Sequence, residues 1–162
     1  MARYFRFGVF GVVLASLLIA SGARAGVQVL RTLPFAPSAG ASAKVQQECQ
    51  VQTQVPAAIQ EFGSDVQLVD QPSKGGRSLE LSITEMHAPG GGPFSGPKWM
   101  TVSGKLHDRG KLIGSFRAKR LSTGGMVRGT CATLARCAQA IGQDIAAWLN
   151  APTMDAELGD AR

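Results

Sequence analysis

The stretch Thr130–Asn150, "TCATLARCAQAIGQDIAAWLN", decides the fold because it carries a clear helical period. Thr130 is a suitable N-cap, and Pro152 follows the C-terminal end. The segment therefore predicts a long amphipathic helix whose apolar face covers a second layer. Apolar residues recur at intervals that place them on one helix face, at positions 131, 134, 138, 141, 145 and 148.

The three cysteines, Cys49, Cys131 and Cys137, allow at most one intramolecular disulfide. On a helix, the segment from Cys131 to Cys137 rises about 9 Å, which is too far for a bridge. Cys131 lies nearer the centre of the apolar stripe, so we predict a disulfide between Cys49 and Cys131. Two alternatives remain open: reduced cysteines packed in the core, or a reactive thiol at the helix N-terminus.

Several segments upstream of this helix predict strands. The link that ends in Gly110 is short and joins the last two strands in a hairpin. A further short strand is expected at "DVQLV", residues 65–69. Polar and apolar residues alternate in "KVQQECQVQTQV" (44–55), "SLELSITEM" (78–86), "WMTVSGKLH" (99–107) and "KLIGSFRAKRL" (111–121).

The order of these elements predicts the architecture. Pro56 opens and Gly63 closes a short helix, "PAAIQEFG". We expect an α+β two-layer domain over residues 44–150, with one mainly antiparallel sheet of four or five strands and both helices on one face. Residues 26–43, rich in proline, alanine and serine, predict a flexible linker, and residues 151–162 predict a disordered acidic tail.

Residues 1–25 have the layout of a secretory signal peptide. Two arginines precede the apolar run Phe7–Ala20, and small residues at Ala23 and Ala25 suit cleavage. A retained signal anchor is the alternative, although a membrane span requires about 20 apolar residues. Cleavage predicts an exported protein without a transmembrane segment. It lowers the formal net charge from +6 to +3, because three arginines and no acids are removed.

Basic residues are concentrated between Lys98 and Arg136, where nine lysines and arginines face a single acid. Such an excess attracts anionic partners, and we predict partner contacts at Arg117, Lys119 and Arg120. A solvated basic sheet face is the alternative. Nucleic acid is not an expected partner, because no aromatic residues interleave these charges as a stacking platform requires.

The glycine-rich segment His87–Trp99, "HAPGGGPFSGPKW", is not a phosphate-binding loop. Gly91 and Gly96 have the spacing of one, but Pro97 stands where the lysine is required and a strand follows. We interpret the segment as a wide connection between two antiparallel strands. Its mobility alone explains its composition, and folding over a partner is the alternative.

Signatures of other chemistry are weak. The histidines, His87 and His107, are predicted at opposite ends of neighbouring strands, whereas a metal site needs three or four convergent ligands. No nucleophile elbow is present. We therefore predict no catalytic, cofactor-binding or metal-binding residues and favour a non-enzymatic protein. A small-ligand binder or minor hydrolase beneath the 87–99 loop is the alternative. Asp144 is expected to meet a basic residue of the hairpin.

Residues 78–149, especially "GTC" (129–131) and "IGQDIAAWL" (141–149), resemble an uncharacterised family of small secreted proteins of Gram-negative bacteria. The element order is more distantly similar to small α+β domains of envelope accessory lipoproteins and to the N-terminal domain of TolB. These resemblances imply assembly or interaction roles in the periplasm. The export signal, the absence of catalytic motifs and the basic hairpin predict a soluble periplasmic accessory module that engages an envelope protein or an anionic envelope component. The chain departs from the lipoproteins because no lipid-attachment cysteine follows its apolar run.

Overall fold

The computed structural model describes residues 26–73, 75–89, 96–122 and 129–161. These residues form an α+β fold of one six-stranded sheet and three helices. The elements are β1 (Val27–Leu30), α1 (Ala43–Cys49), α2 (Val51–Phe62), β2 (Val66–Val69), β3 (Arg77–His87), β4 (Lys98–Asp108), β5 (Lys111–Ser122), α3 (Thr130–Leu149) and β6 (Ala156–Gly159).

The strand order across the sheet is β2-β1-β3-β4-β5-β6. The three long strands β3, β4 and β5 form an antiparallel meander. Strand β1 is parallel to both β2 and β3, and β6 is parallel to β5. The sheet is therefore mixed and has more strands than the sequence predicted. The predicted hairpin joins β4 to β5 through Arg109 and Gly110, which both have positive φ, 50° and 81°.

Helix α3 covers the centre of the sheet, as its apolar period predicted. Its side chains at Leu134, Ile141 and Ile145 are fully buried. Helix α2 packs beside α3. Gly142 permits this close approach, because a Cβ at that position would collide with the Cβ of Ala58. No helix in the described part of the chain is both long and apolar enough to cross a membrane.

The predicted strand over residues 44–55 is wrong, because this segment forms α1 and α2. Gln50 separates the two helices with a left-handed backbone, φ 49°. This break places Cys49 and Val51 on the same buried side. Buried residues two positions apart are also typical of a strand, which is why the sequence predicted one here. Within α2, the buried residues Val55 and Ile59 follow Val51 at the helical interval of four.

Pro56 lies inside α2 and does not open it. Because proline has no backbone N–H, the carbonyl of Gln52 loses its helical donor. The backbone N–H of Leu33 donates to that carbonyl instead, at 3.0 Å. This bond ties the segment after β1 to the helical layer. Gly63 ends the helix as predicted, and its N–H donates to the carbonyl of Ile59 at 2.9 Å.

The structure also corrects the prediction of a flexible linker over residues 26–43. It contains β1, an interior strand of the sheet, and Val29 is fully buried there. Beyond β1 the chain continues along β3, where Ile83 donates its N–H to the carbonyl of Pro34 at 3.0 Å. Composition did not reveal this strand, because its pairing partners lie far along the chain.

The predicted disordered tail, residues 151–162, contains the edge strand β6. The Asp160 carboxylate accepts a hydrogen bond from the backbone N–H of Leu121 at 2.8 Å. Ser115 also donates its backbone N–H to the carbonyl of Thr153 at 3.0 Å. The predicted signal peptide, residues 1–25, lies outside the described residues.

Candidate binding surface on the open face of the sheet

The two faces of the sheet differ in what covers them. The helices pack on one face, where Leu81, Val102 and Phe116 are buried. No helix among the described residues packs on the other face, which we call the open face. Its side chains come from alternate strand positions. They include Glu80, Ser82, Glu85 and His87 of β3, Trp99, Thr101, Ser103, Lys105 and His107 of β4, Ser115, Arg117, Lys119 and Leu121 of β5, and Glu157 of β6.

Charges on the open face are arranged in stripes along the strands. Strand β3 contributes carboxylates and β6 contributes Glu157, whereas β4 and β5 between them contribute Lys105, Arg117 and Lys119. In the sheet register, Glu80 lies beside Lys105, and Arg117 lies beside Glu157. Acidic stripes therefore flank a central basic stripe. The basic run of the sequence does not produce a uniformly basic face.

A concavity of about 530 Å³ lies on the open face and extends across the sheet from Leu30 to Glu157. Three hydroxyl groups line it, those of Ser82, Ser103 and Ser115. Its volume falls in the range of about 300–1,000 Å³ that is usual for ligand sites. The open face is thus a depression in which apolar residues such as Leu30 and Pro34 lie among hydroxyl and charged side chains.

Glu85 links the acidic and basic stripes at one end of the concavity. Thr101 donates its hydroxyl to the Glu85 carboxylate at 3.1 Å, and Arg117 donates through Nη2 at 3.2 Å. The hydrogen bond from Thr101 lowers the pKa of Glu85 and outweighs the opposing effect of burial, and Arg117 and Lys119 lower the pKa further. Glu85 is therefore a stable anion that holds Arg117 in place.

Aromatic residues occupy the same end of the open face. The His87 ring stacks on Trp99, with centroids 3.9 Å apart and planes inclined by 15°. Lys119 places its ammonium 5.6 Å from the centre of the Trp99 ring, a cation–π distance. Leu121 lies beside Trp99 and is 47% exposed. Neither His87 nor His107 lines the concavity.

Arg120 lies on the opposite face of β5 from Arg117 and Lys119. Its guanidinium binds Asp144 of α3 through two hydrogen bonds of 2.6 and 2.7 Å, and Asp160 lies 3.7 Å away. The hydrogen bond to Asp144 raises the pKa of Arg120. The predicted contact between Asp144 and the hairpin is confirmed. The three predicted partner contacts do not share one surface, because only Arg117 and Lys119 are on the open face.

The predicted disulfide is confirmed. Cys49, at the end of α1, is bonded to Cys131 in the first turn of α3, with their Cα atoms 4.7 Å apart. Cys131 therefore is not a reactive thiol. Cys137 is reduced and buried, and burial raises the pKa of its thiol. Within the described residues, no group of three or more histidine, cysteine, aspartate or glutamate side chains could hold a metal ion.

Sequence reasoning missed Lys105 and Glu80 as members of this surface. Both residues stand in strands that were predicted correctly, on the polar side of the alternation. Their neighbourhood depends on the register between β3 and β4, which the 87–99 connection did not reveal. Aligning the polar positions of β3 with those of β4 would have placed Glu80 beside Lys105.

Comparisons with known proteins support the fold. No family model matches this chain, and no curated protein matches it. Among solved structures, an uncharacterized protein is similar with a TM-score of 0.54 and 14% identity, over 76% of this chain and 92% of that chain. This likeness shows a shared fold. The family predicted from the sequence motifs and the similarity to TolB stay predictions.

Two further solved structures are similar at lower scores. The PelC dodecamer from Paraburkholderia phytofirmans has a TM-score of 0.47 and 14% identity, over 74% of this chain and 85% of that chain. A minor lipoprotein from Acinetobacter baumannii has a TM-score of 0.39 and 16% identity, over 80% of this chain and 97% of that chain.

Proposed function

We propose that this protein is a non-enzymatic accessory module of the bacterial envelope, exported to the periplasm, which binds another envelope component on its open face. The observation that carries this proposal is the open face itself. It is a charged concavity across five strands that no described helix covers. A surface of this kind suits recognition of a macromolecule.

Two features support export. The first 25 residues have the order of charged, apolar and small residues that signal peptides share. The bond between Cys49 and Cys131 suits an oxidising compartment, because the cytosol keeps most thiols reduced. Export is tested by determining the N-terminal sequence of the mature protein, which we expect to begin at Gly26.

A small-ligand binder or minor hydrolase with a site beneath the 87–99 connection is the second candidate. The concavity of about 530 Å³ has the volume of a ligand site, but its lining on β3 and β4 lies at residues 80–82 and 103–105 and not at the 87–99 connection. Its lining argues against hydrolysis, since no histidine is present and the described carboxylates are spread across the sheet. The His87 ring is stacked on Trp99 outside the concavity. The geometry therefore favours the binding module.

The test places a photocrosslinking amino acid at Ser103, in the centre of the open face, in the protein expressed in its own cells. The matched control carries the same amino acid at Gln143, on the exposed side of α3. We expect Ser103 to capture one reproducible envelope component that Gln143 does not capture. Equal capture at both positions, or none at Ser103, would contradict the proposed function.

A further inference from the structure

We infer that the open face binds an extended segment of a partner protein that carries carboxylates at alternate positions and an apolar residue two positions further on. This inference rests on the proposed function and narrows the partner to a class of peptide chemistry. It follows from the spacing of the basic stripe, from its width and from the exposed residue at its end.

The spacing of the basic stripe matches an extended chain. Arg117 and Lys119 are two positions apart on β5, so their side chains leave the sheet about 6.7 Å apart. An extended segment that lies along β5 presents alternate side chains at this same interval. Lys105 continues the stripe on β4, because it pairs with Ser115 in the register. Carboxylates at alternate positions therefore meet successive cations.

The basic stripe is narrow, which favours a single peptide chain as its partner over a broad anionic surface. The stripe occupies two strands, which span about 5 Å between their axes. Glu80 and Glu85 border it on β3, and Glu157 borders it on β6. These carboxylates repel phosphates that extend sideways, as in a nucleic acid or an anionic membrane. A single extended segment places its charges only on the central stripe.

The cations of the stripe retain capacity for a partner. Lys105 is exposed and forms no ion pair within the described part of the chain. Lys119 has its ammonium near the Trp99 ring and is in no carboxylate ion pair shorter than 4.0 Å there. Arg117 binds Glu85 through Nη2, at 3.2 and 3.3 Å, and a guanidinium has five N–H donors, so it can bind a second carboxylate.

The residues at the end of the basic stripe indicate where the partner segment carries its apolar residue. Leu121 follows Lys119 by two positions on the same face of β5 and is 47% exposed. Trp99 lies beside it in the register. An apolar side chain two positions beyond the second carboxylate would cover both residues and remove apolar surface from water. The expected pattern is thus acidic, any, acidic, any, apolar.

A peptide titration tests this pattern. The protein from residue 26 onward, where the described fold begins, is titrated with acetyl-Thr-Glu-Thr-Glu-Thr-Leu-Thr-amide and followed by amide NMR. The composition-matched isomer, acetyl-Thr-Thr-Glu-Glu-Leu-Thr-Thr-amide, puts its two carboxylates on opposite sides of an extended chain. We expect shifts confined to β4 and β5, and affinity for the first peptide about threefold higher or more, since one charge contact is lost in the isomer.

Variants of the basic stripe provide a second test. In the double variant Lys105→Glu with Lys119→Glu, we expect affinity for the alternating peptide to fall about fivefold or more. The control, Lys44→Glu with Arg136→Glu, changes the net charge equally on exposed helical positions. It should bind as the wild type does. Amide dispersion in the NMR spectra shows whether each variant is folded.

Several results would overturn the inference. They are equal affinity for the two peptides, no binding at millimolar concentration, tighter binding of inorganic polyphosphate, or a dimer in sedimentation that the stripe variant dissociates. Capture at Ser103 in cells without peptide binding would reject this inference and leave the proposed function standing. Failure of both experiments would reject both.

Discussion

The helix-covered face and the open face belong to the same three long strands, yet they have opposite chemistry. On β3, Ile83 is fully buried beneath the helices, whereas its neighbour Ser82 lines the concavity together with Glu80. Burying apolar area is the main favourable term in folding. The covered face therefore determines stability, and the open face is available for recognition at little cost to the fold. The predictions below compare substitutions on the two faces.

The largest expected effect concerns the bond that ties α1 to α3 above the covered face. Cys131→Ser removes a link between residues 82 positions apart. We expect the free energy of unfolding to fall by about 4 kcal/mol, because the unfolded chain regains the entropy of an open loop. Urea denaturation measures the change. Reductant should destabilise the wild type by a similar amount and leave the variant unaffected; an unresponsive wild type would contradict the prediction.

Adjacent positions on β3 provide the direct comparison of the two faces. Ile83→Ala should lower the free energy of unfolding by about 3 kcal/mol, because it leaves a cavity at a fully buried site. Ser82→Ala, one residue away on the open face, should change it by less than about 0.5 kcal/mol. Both values come from urea denaturation. Similar losses for the two variants would show that the open face also contributes to stability.

Two of the ion pairs of β5, Arg120 with Asp144 and Arg117 with Glu85, extend the comparison to electrostatics. Asp144→Asn removes the carboxylate that binds Arg120 through two hydrogen bonds in a half-buried site, where the two side chains are 20% and 32% exposed, and leaves the more distant Asp160. We expect a loss of about 1.5 kcal/mol. Glu85→Gln breaks the pair with Arg117, which is more exposed, and should cost less than about 0.5 kcal/mol. Thermal denaturation at matched ionic strength measures both losses of stability. A larger loss for Glu85→Gln than for Asp144→Asn would contradict the prediction.

The smallest effect is a dependence on pH at the open face. The pKa of Glu85 is lower in the folded chain than its ordinary value of 4.5. Its contribution to stability is therefore complete above that value and is lost as the pH falls through the lowered pKa. Glu85→Gln should make the loss of stability in acid slightly shallower than in the wild type. Urea denaturation at pH 7, 4 and 3 tests this, and a steeper loss in the variant would contradict it.

Local periodicity predicted the elements whose apolar residues recur at the regular interval of a helix or a strand. The closing helix, the three long strands and the short β4–β5 turn follow from residue spacing. Helix geometry excluded a bridge from Cys131 to Cys137, and the place of Cys131 in the apolar stripe then favoured its bond with Cys49. Opposite charges on the hairpin and on α3 predicted the contact of Asp144 with a basic residue.

Non-local pairing explains what the sequence did not predict. Strands β1 and β6 have four residues each, and parallel neighbours distant in the chain hold them in place. Helix α1 and the first part of α2, up to Val55, were missed because the left-handed backbone at Gln50 brings Cys49 and Val51 to the same side. Of the open face, only Arg117 and Lys119 were anticipated, since the acidic stripes come from strands whose register was unknown.

The interior position of β1 has a consequence for the time at which the protein can fold. Val27 pairs with Val66 and Arg77, so β1 leaves the ribosome well before either of its neighbours. The β6 strand closes the other edge from residues 156–159. Pairings this distant form slowly. On a nascent chain, this six-stranded sheet therefore cannot be completed until β6 has been synthesised.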